Sequence, residues 1–101
     1  MNGVERIAAE RQRQIEVEGW SLERDRTLYR NGELPAAAIA YAMDGEDRTR
    51  FADVFLWWPW ADEWWKTGGS SIEGRVRDLE KAGALIAAEI DRLLSTAEGG
   101  E

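Results

Sequence analysis

The spacing of apolar residues near the C-terminal end constrains this chain most. Val76, Leu79, Gly83, Ile86, Ile90, Leu93 and Ala97 alternate steps of three and four without a miss. Only an α-helix brings such positions into one line. Three heptads of that pattern predict a long C-terminal helix with an apolar seam suited to another helix. Ala82, Gly83, Ala84, Ala87 and Ala88 thin the middle of this helix, so another backbone is expected close by. Gly83 costs about 1 kcal/mol in a helix interior relative to Ala, and a close contact there would offset it.

A single helix cannot bury its own seam, so partners must come from upstream. Val4, Ile7, Ala8, Arg11, Ile15 and Glu18 share one helical face, which predicts a first helix ending near Gly19, with Arg11 its odd member. Trp20 then folds back onto the helix end. Ser21 to Asp25 reads as a capped short turn. Asn31 is expected to N-cap a third helix that carries Glu33 and Pro35 in its first turn. Ala36 to Met43 is apolar nearly all round and built of small residues, which predicts a central helix. Asp44 to Asp47 ends it, and residues 44–54 read as a variable insert. Residues 48–66 suit helix or strand until Pro59 interrupts either. Trp60 to Trp64 is expected to form one helical turn with those two indoles stacked. Residues 67–71 read as a flexible loop and 97–101 as a frayed tail. The whole predicts one all-α domain over residues 1–101, a small helical bundle whose seam also suits a homodimer.

Six tryptophans occur in the chain, and five lie between Trp57 and Trp65. Indoles bury large areas and need a partner for the N–H. Most of them are expected to fill the core. Five in nine positions cannot all point inward, however, so one or two must face outward as a stacking platform or a protein anchor.

The 101 residues include no cysteine and no histidine. Disulfides, thiolate chemistry and serine or cysteine catalysis through histidine are therefore excluded. Any metal site would be all oxygen, which points to Mg, Mn or Ca. The formal net charge of −7 argues against direct nucleic-acid binding through a positive field. It fits a basic protein partner or mimicry of a polyanion. Residues 1–18 lack the apolar run of a secretion signal, and 54–61 is too short to span a bilayer. The expectation is a soluble intracellular protein without a membrane role.

Three groups of side chains are candidates for function. The first joins Trp60, Trp64, Trp65 and Lys66 to Arg75, Arg77 and Lys81, a locally basic stretch of an acidic chain. Such a group can hold an aromatic anion, with guanidinium or ammonium on its charge and indole on its ring. The bland alternative is a solvated helix face, with Arg77 paired to Glu73 and Lys81 to Asp78. The second group is Asp25, Glu33, Asp78 and Glu89, which can bind Mg if helices bring them together. The third reading makes Arg11 the internal counter-ion of Glu33 or Glu89.

Glu10-Arg11-Gln12-Arg13-Gln14, Glu18-Gly19-Trp20, Asn31-Gly32-Glu33-Leu34, Trp58-Pro59-Trp60, Trp64-Trp65-Lys66 and Lys81 to Ile86 together resemble a group of short phage and prophage proteins. The resemblance spans most of the chain except the insert. It implies phage origin and an accessory role, with no established chemistry; separately, no cofactor and a location in the host cytoplasm are expected. Gly32-Glu33-Leu34 also resembles part of the Glu-rich helix of MazG-type all-α nucleotide pyrophosphohydrolases, which use Mg. The Glu-x-x-Glu pair of that family is absent, since Arg30 and Ala36 flank Glu33 at three residues. The expected function is binding rather than catalysis: sequestering a nucleotide-type ligand or blocking a host protein. The alternatives are a Mg-dependent pyrophosphohydrolase and an acidic nucleic-acid mimic.

Overall fold

In a computed structural model, which describes residues 1–43 and 58–98, four α-helices form: α1 (Gly3–Glu16), α2 (Leu22–Leu28), α3 (Glu33–Ala42) and α4 (Ile72–Glu98). A 3-10 turn, Asp62–Trp64, precedes α4. The all-α expectation holds, with the long C-terminal helix packed on α1, α2 and α3. The insert at 44–54 and Trp57 lie outside the described residues.

Local chemistry sets the helix ends. Asn2 and Glu5 form a capping box: the Asn2 side chain accepts from Glu5 N and the Glu5 carboxylate from Asn2 N, both at 2.9 Å. This satisfies two of the free N–H groups at the start of α1. After α1, Gly19 takes φ 71°, where a Cβ would be strained. The reversal lets Trp20 N donate to Gln14 O at 3.0 Å, so Trp20 does fold back on the helix end. Ser21 Oγ accepts from Arg24 N at 3.0 Å and caps α2, a two-turn helix where a turn was expected. Asn31 is not the N-cap of α3. Gly32 holds that position, with no side-chain cap, and Asn31 N instead donates to Glu33 Oε1 at 2.7 Å. The left-handed turn at Gly32 delays the helix by one residue.

The centre of the molecule is α3 against α4. Leu34, Ala37, Ala38, Ala40 and Tyr41 on α3 meet Ala82, Leu85 and Ala88 on α4, and Trp58 closes the cluster. Alanine on both sides lets the two helices approach closely, and small contacts summed over many atoms supply the attraction. Arg75 extends from α4 to donate to Ala42 O at 2.9 Å and Met43 O at 3.0 Å. A cation thus sits on the unpaired carbonyls and negative dipole end of α3.

Two apolar stripes expected to be buried are not. On α1, Val4, Ala8 and Ile15 are exposed, while Glu10 and Gln14 are buried. The helix is rotated because Glu10 finds Arg77 on α4, and a paired polar face can be buried where an unpaired one cannot. On α4, Leu79, Ile86, Ile90 and Leu93 of the heptad seam are exposed. The helix buries instead the side carrying Asp78, Ala82, Leu85 and Ala88, where small residues permit closer packing. Gly83 does meet a close neighbour, but it is a side chain rather than a backbone. A Cβ at Gly83 would lie 2.6 Å from Ile7 Cδ1.

The loop at 67–71 is tied to α4. Asp78, fully buried, accepts from Thr67 Oγ1 at 2.8 Å and from Gly68 N at 2.7 Å. Among the described residues no helix is long and apolar enough to cross a membrane.

Candidate functional site: an aromatic cleft lined with cations

Trp58 and Pro59 bring the tryptophan segment across the core. Trp58 is buried, and its indole N–H donates to Ala61 O at 3.0 Å. Its ring packs edge-on with Tyr41, Trp60 and Trp65 at 5.4, 5.2 and 5.1 Å. Trp65 stacks on Tyr41 at 5.8 Å. Trp60 turns to Trp20 and Tyr29, at 6.5 and 5.2 Å, rather than stacking one turn away on Trp64. The 3-10 turn covers only three residues, too few to align positions 60 and 64. Each such ring pair contributes about 0.5–1.5 kcal/mol beyond its buried area. Among the described indoles, Trp58 is buried, Trp20, Trp60 and Trp65 pack partly buried against the core, and Trp64 is 61% exposed.

Beside this cluster lies a cleft of about 860 Å³. Its aromatic lining comes from Trp20, Tyr29, Tyr41, Trp58, Trp60 and Trp64. Its charged lining comprises five cations, Arg13, Arg24, Lys66, Arg77 and Lys81, against two carboxylates, Glu10 and Glu18. The positive excess is local, because the chain as a whole carries −7.

Glu10 organises one side. It is 3% exposed, and its Oε1 accepts from Arg77 Nη1 at 2.7 Å and from Arg13 Nε at 2.8 Å. Arg13 Nη2 binds the second oxygen at 3.0 Å. Burial disfavours this carboxylate, but the two guanidinium groups outweigh burial and hold its pKa below the usual glutamate value. The same hydrogen bonds raise Arg13. On the other side, Lys81 Nζ donates to Lys66 O at 2.7 Å and lies 5.2 Å from the Tyr41 ring. Burial, followed by the nearby Arg77, pushes its pKa down. Lys66 N donates to Tyr41 Oη at 3.2 Å, and the lysine side chain is left at the rim. Arg24 lies 5.4 Å from the Trp20 ring and 5.2 Å from the Tyr29 ring, and donates to Tyr29 Oη at 2.7 Å.

One group in the cleft is incomplete. Gln14 is 2% exposed, and its Oε1 is buried without a hydrogen-bond partner. Such an orphan acceptor costs about 1–3 kcal/mol unless something donates to it.

Of the residues singled out from sequence, Trp60, Trp64, Lys66, Arg77 and Lys81 line the cleft. Trp65 and Arg75 do not: the first stacks on Tyr41 and the second caps α3. The expected local pairs are also replaced. Arg77 pairs with Glu10 and Glu80 rather than Glu73, and Lys81 takes a carbonyl rather than Asp78. Arg77 thus keeps one pair on its own helix, with Glu80 three residues on, and gains a tertiary one with Glu10.

Asp25, Glu33 and Glu89 all lie close enough to Arg92 to act on its charge, whereas Asp78 is committed to the loop. Among the described residues no group of three or more acidic side chains is placed to hold a metal ion. Asp78 fastens the loop, Glu33 accepts from Asn31 N, and Glu89 binds Arg92 at 2.6 and 3.0 Å. Arg11 pairs with neither Glu33 nor Glu89. It lies 3.4 Å from Asp91 and 4.0 Å from the fully buried Asp25. Burial raises the Asp25 pKa, with Arg11 and Arg24 opposing.

Sequence reading missed Glu10, Arg13 and Gln14 on α1, Arg24 and Tyr29 from α2 and the segment after it, and Tyr41 on α3. The available signal was that positions 10, 13 and 14 share a polar helical face two turns from Trp20. Comparison with protein-family models, curated proteins and solved structures finds no match for this chain.

Proposed function

We propose that this protein acts by binding, not catalysis, and holds a nucleotide-type ligand in the aromatic cleft. The supporting observation is an apolar, aromatic cavity that concentrates cations on an acidic chain. A volume near 860 Å³ lies within the usual range for small-molecule sites. Lys66 and Lys81 supply charge for a phosphate, and binding an anion would reverse the depression of the Lys81 pKa. Trp60 and Trp64 offer faces for a planar ring. Glu10 is held ionised by two arginines, which suits a scaffold rather than a general acid.

In this reading the protein is a phage accessory factor in the host cytoplasm, countering host defence by sequestering a nucleotide signal. The resemblance in the tryptophan, Asn-Gly-Glu-Leu and Lys-Ala-Gly-Ala motifs supports that setting. Titration with a panel of mono- and dinucleotides, followed by tryptophan fluorescence and thermal shift, tests the proposal. Quenching and a raised Tm with a subset of ligands are expected. A flat response across the panel would sink it.

The exposed Trp64 supports a second reading, in which the rim anchors a host protein. Trp64→Ala would then abolish capture of that protein while nucleotides fail to compete.

A further inference from the structure

The face of α4 that turns away from the core carries a heptad stripe. Ile72, Leu79, Ile86 and Leu93 recur at intervals of seven residues, and Ile90 and Leu94 lie beside them. All six are 46–84% exposed. Val76 lies on the same line, and Gly83, also on it, is met by Ile7 of α1, so the exposed stripe runs past the edge of α1, with no charged position from 72 to 93. An unsupported surface helix has no reason to keep such a pattern. A strict seven-residue repeat fits one kind of surface: a second helix that supercoils against it.

We propose that this face is the two-fold interface of a homodimer, with α4 of one copy packed on α4 of another. Three observations point to a second copy as the occupant. First, the repeat persists through three heptads, about 33 Å of helix, and the matching seam available to it is its own. Second, the stripe is uncharged in a chain of net charge −7, so apolar fit rather than attraction to a basic partner selects what docks. Third, the area suffices. The six side chains expose roughly 600 Å² per copy, at the upper limit for a patch left bare on a monomer. Two copies would bury about 1,200 Å² or more, which reaches the range of specific interfaces. The stripe is not part of the cleft lining, so dimerisation would leave both clefts open. This inference is independent of what the cleft binds.

Light scattering coupled to size exclusion on the full chain tests the proposal, in low and high salt. The expected mass is twice the 11.5 kDa of the chain, unchanged by salt. Ile86→Glu is expected to give a monomer with an unaltered helical circular dichroism spectrum, since Ile86 is half exposed and outside the core cluster. If that variant loses its helical signal, Ile90→Gln provides the same reading with a milder change. A wild-type protein that stays monomeric in both salts overturns the proposal. A wild-type dimer that persists in both variants also overturns it, because the interface must then lie elsewhere.

Discussion

Replacing Glu10 by Gln tests the physical account of the cleft most directly. The substitution keeps the shape and removes the charge. Three hydrogen bonds of 2.7–3.0 Å from Arg13 and Arg77 converge on this carboxylate. Removing one partner of a fully buried ion pair costs about 3–5 kcal/mol, mostly from the charge left behind. Here both arginines are 36% exposed, and each keeps a second acid: Glu18 at 3.0 Å for Arg13 and Glu80 at 3.4 Å for Arg77. Solvent and these partners screen the abandoned charges, so about 2 kcal/mol is the expected loss. For a domain of this length that is a fall in Tm of about 8–16 °C, read by circular dichroism.

The pH dependence of that loss is a sharper test. The folded-state pKa of Glu10 is depressed, so its stabilisation is complete above the unfolded glutamate value. It disappears as pH falls through the folded value. Wild type and Glu10→Gln should therefore converge in strong acid and separate towards neutrality. The same variant makes the cleft more positive, so an anionic ligand should bind a few-fold tighter although the fold is weaker. A Tm within about 2 °C of wild type at neutral pH, or a deficit that persists undiminished in acid, would refute the reasoning.

Other perturbations follow from the same geometry. Lys66→Ala and Lys81→Ala should each weaken a nucleotide ligand about tenfold, or roughly 1.4 kcal/mol, with little effect on Tm; unchanged titration curves would remove both lysines from the site. Asp25→Asn should raise Tm at pH 7, because burial raises the Asp25 pKa and the ionised form therefore opposes folding above that value. That advantage should shrink as pH falls below it, and a lower Tm at pH 7 would show that the Arg11 and Arg24 charges dominate instead. Asp78→Ala removes acceptors for Thr67 and Gly68 and should cost about 3 kcal/mol. Limited proteolysis should then cut within residues 67–71, and a variant as resistant as wild type would contradict the assigned tether.

The helices were legible in the sequence because they depend on local chemistry. Apolar spacing placed α4, small-residue composition placed α3 at the centre, and Ser21 marked the start of α2. Of the basic run after the tryptophans, Lys66, Arg77 and Lys81 line the cleft. What failed was the choice of face. Apolar spacing on α1 and α4 identified stripes that the protomer leaves exposed. The faces it buries are polar on α1, around Glu10 and Gln14, and small on α4, around Ala82, Leu85 and Ala88. Burial of a polar face depends on a partner far along the chain, and Arg77 lies 67 residues from Glu10. Periodicity carries no information about that distance.

Sequence alone therefore determined helix content, the central place of the Ala-rich helix, the acidic balance and the exclusion of histidine and cysteine chemistry. Each of these is a property of residues or of neighbours within a few turns. Tertiary structure decided which indoles are core and which reach the rim, why Trp65 and Arg75 leave the candidate site, and how α1 and α2 complete the cleft. It also decided that Asp78 is committed to the loop at 67–71 while Asp25, Glu33 and Glu89 lie around Arg92. The physical reason is that side chains settle according to the desolvated partner they meet, and that partner comes from helix packing across the whole chain.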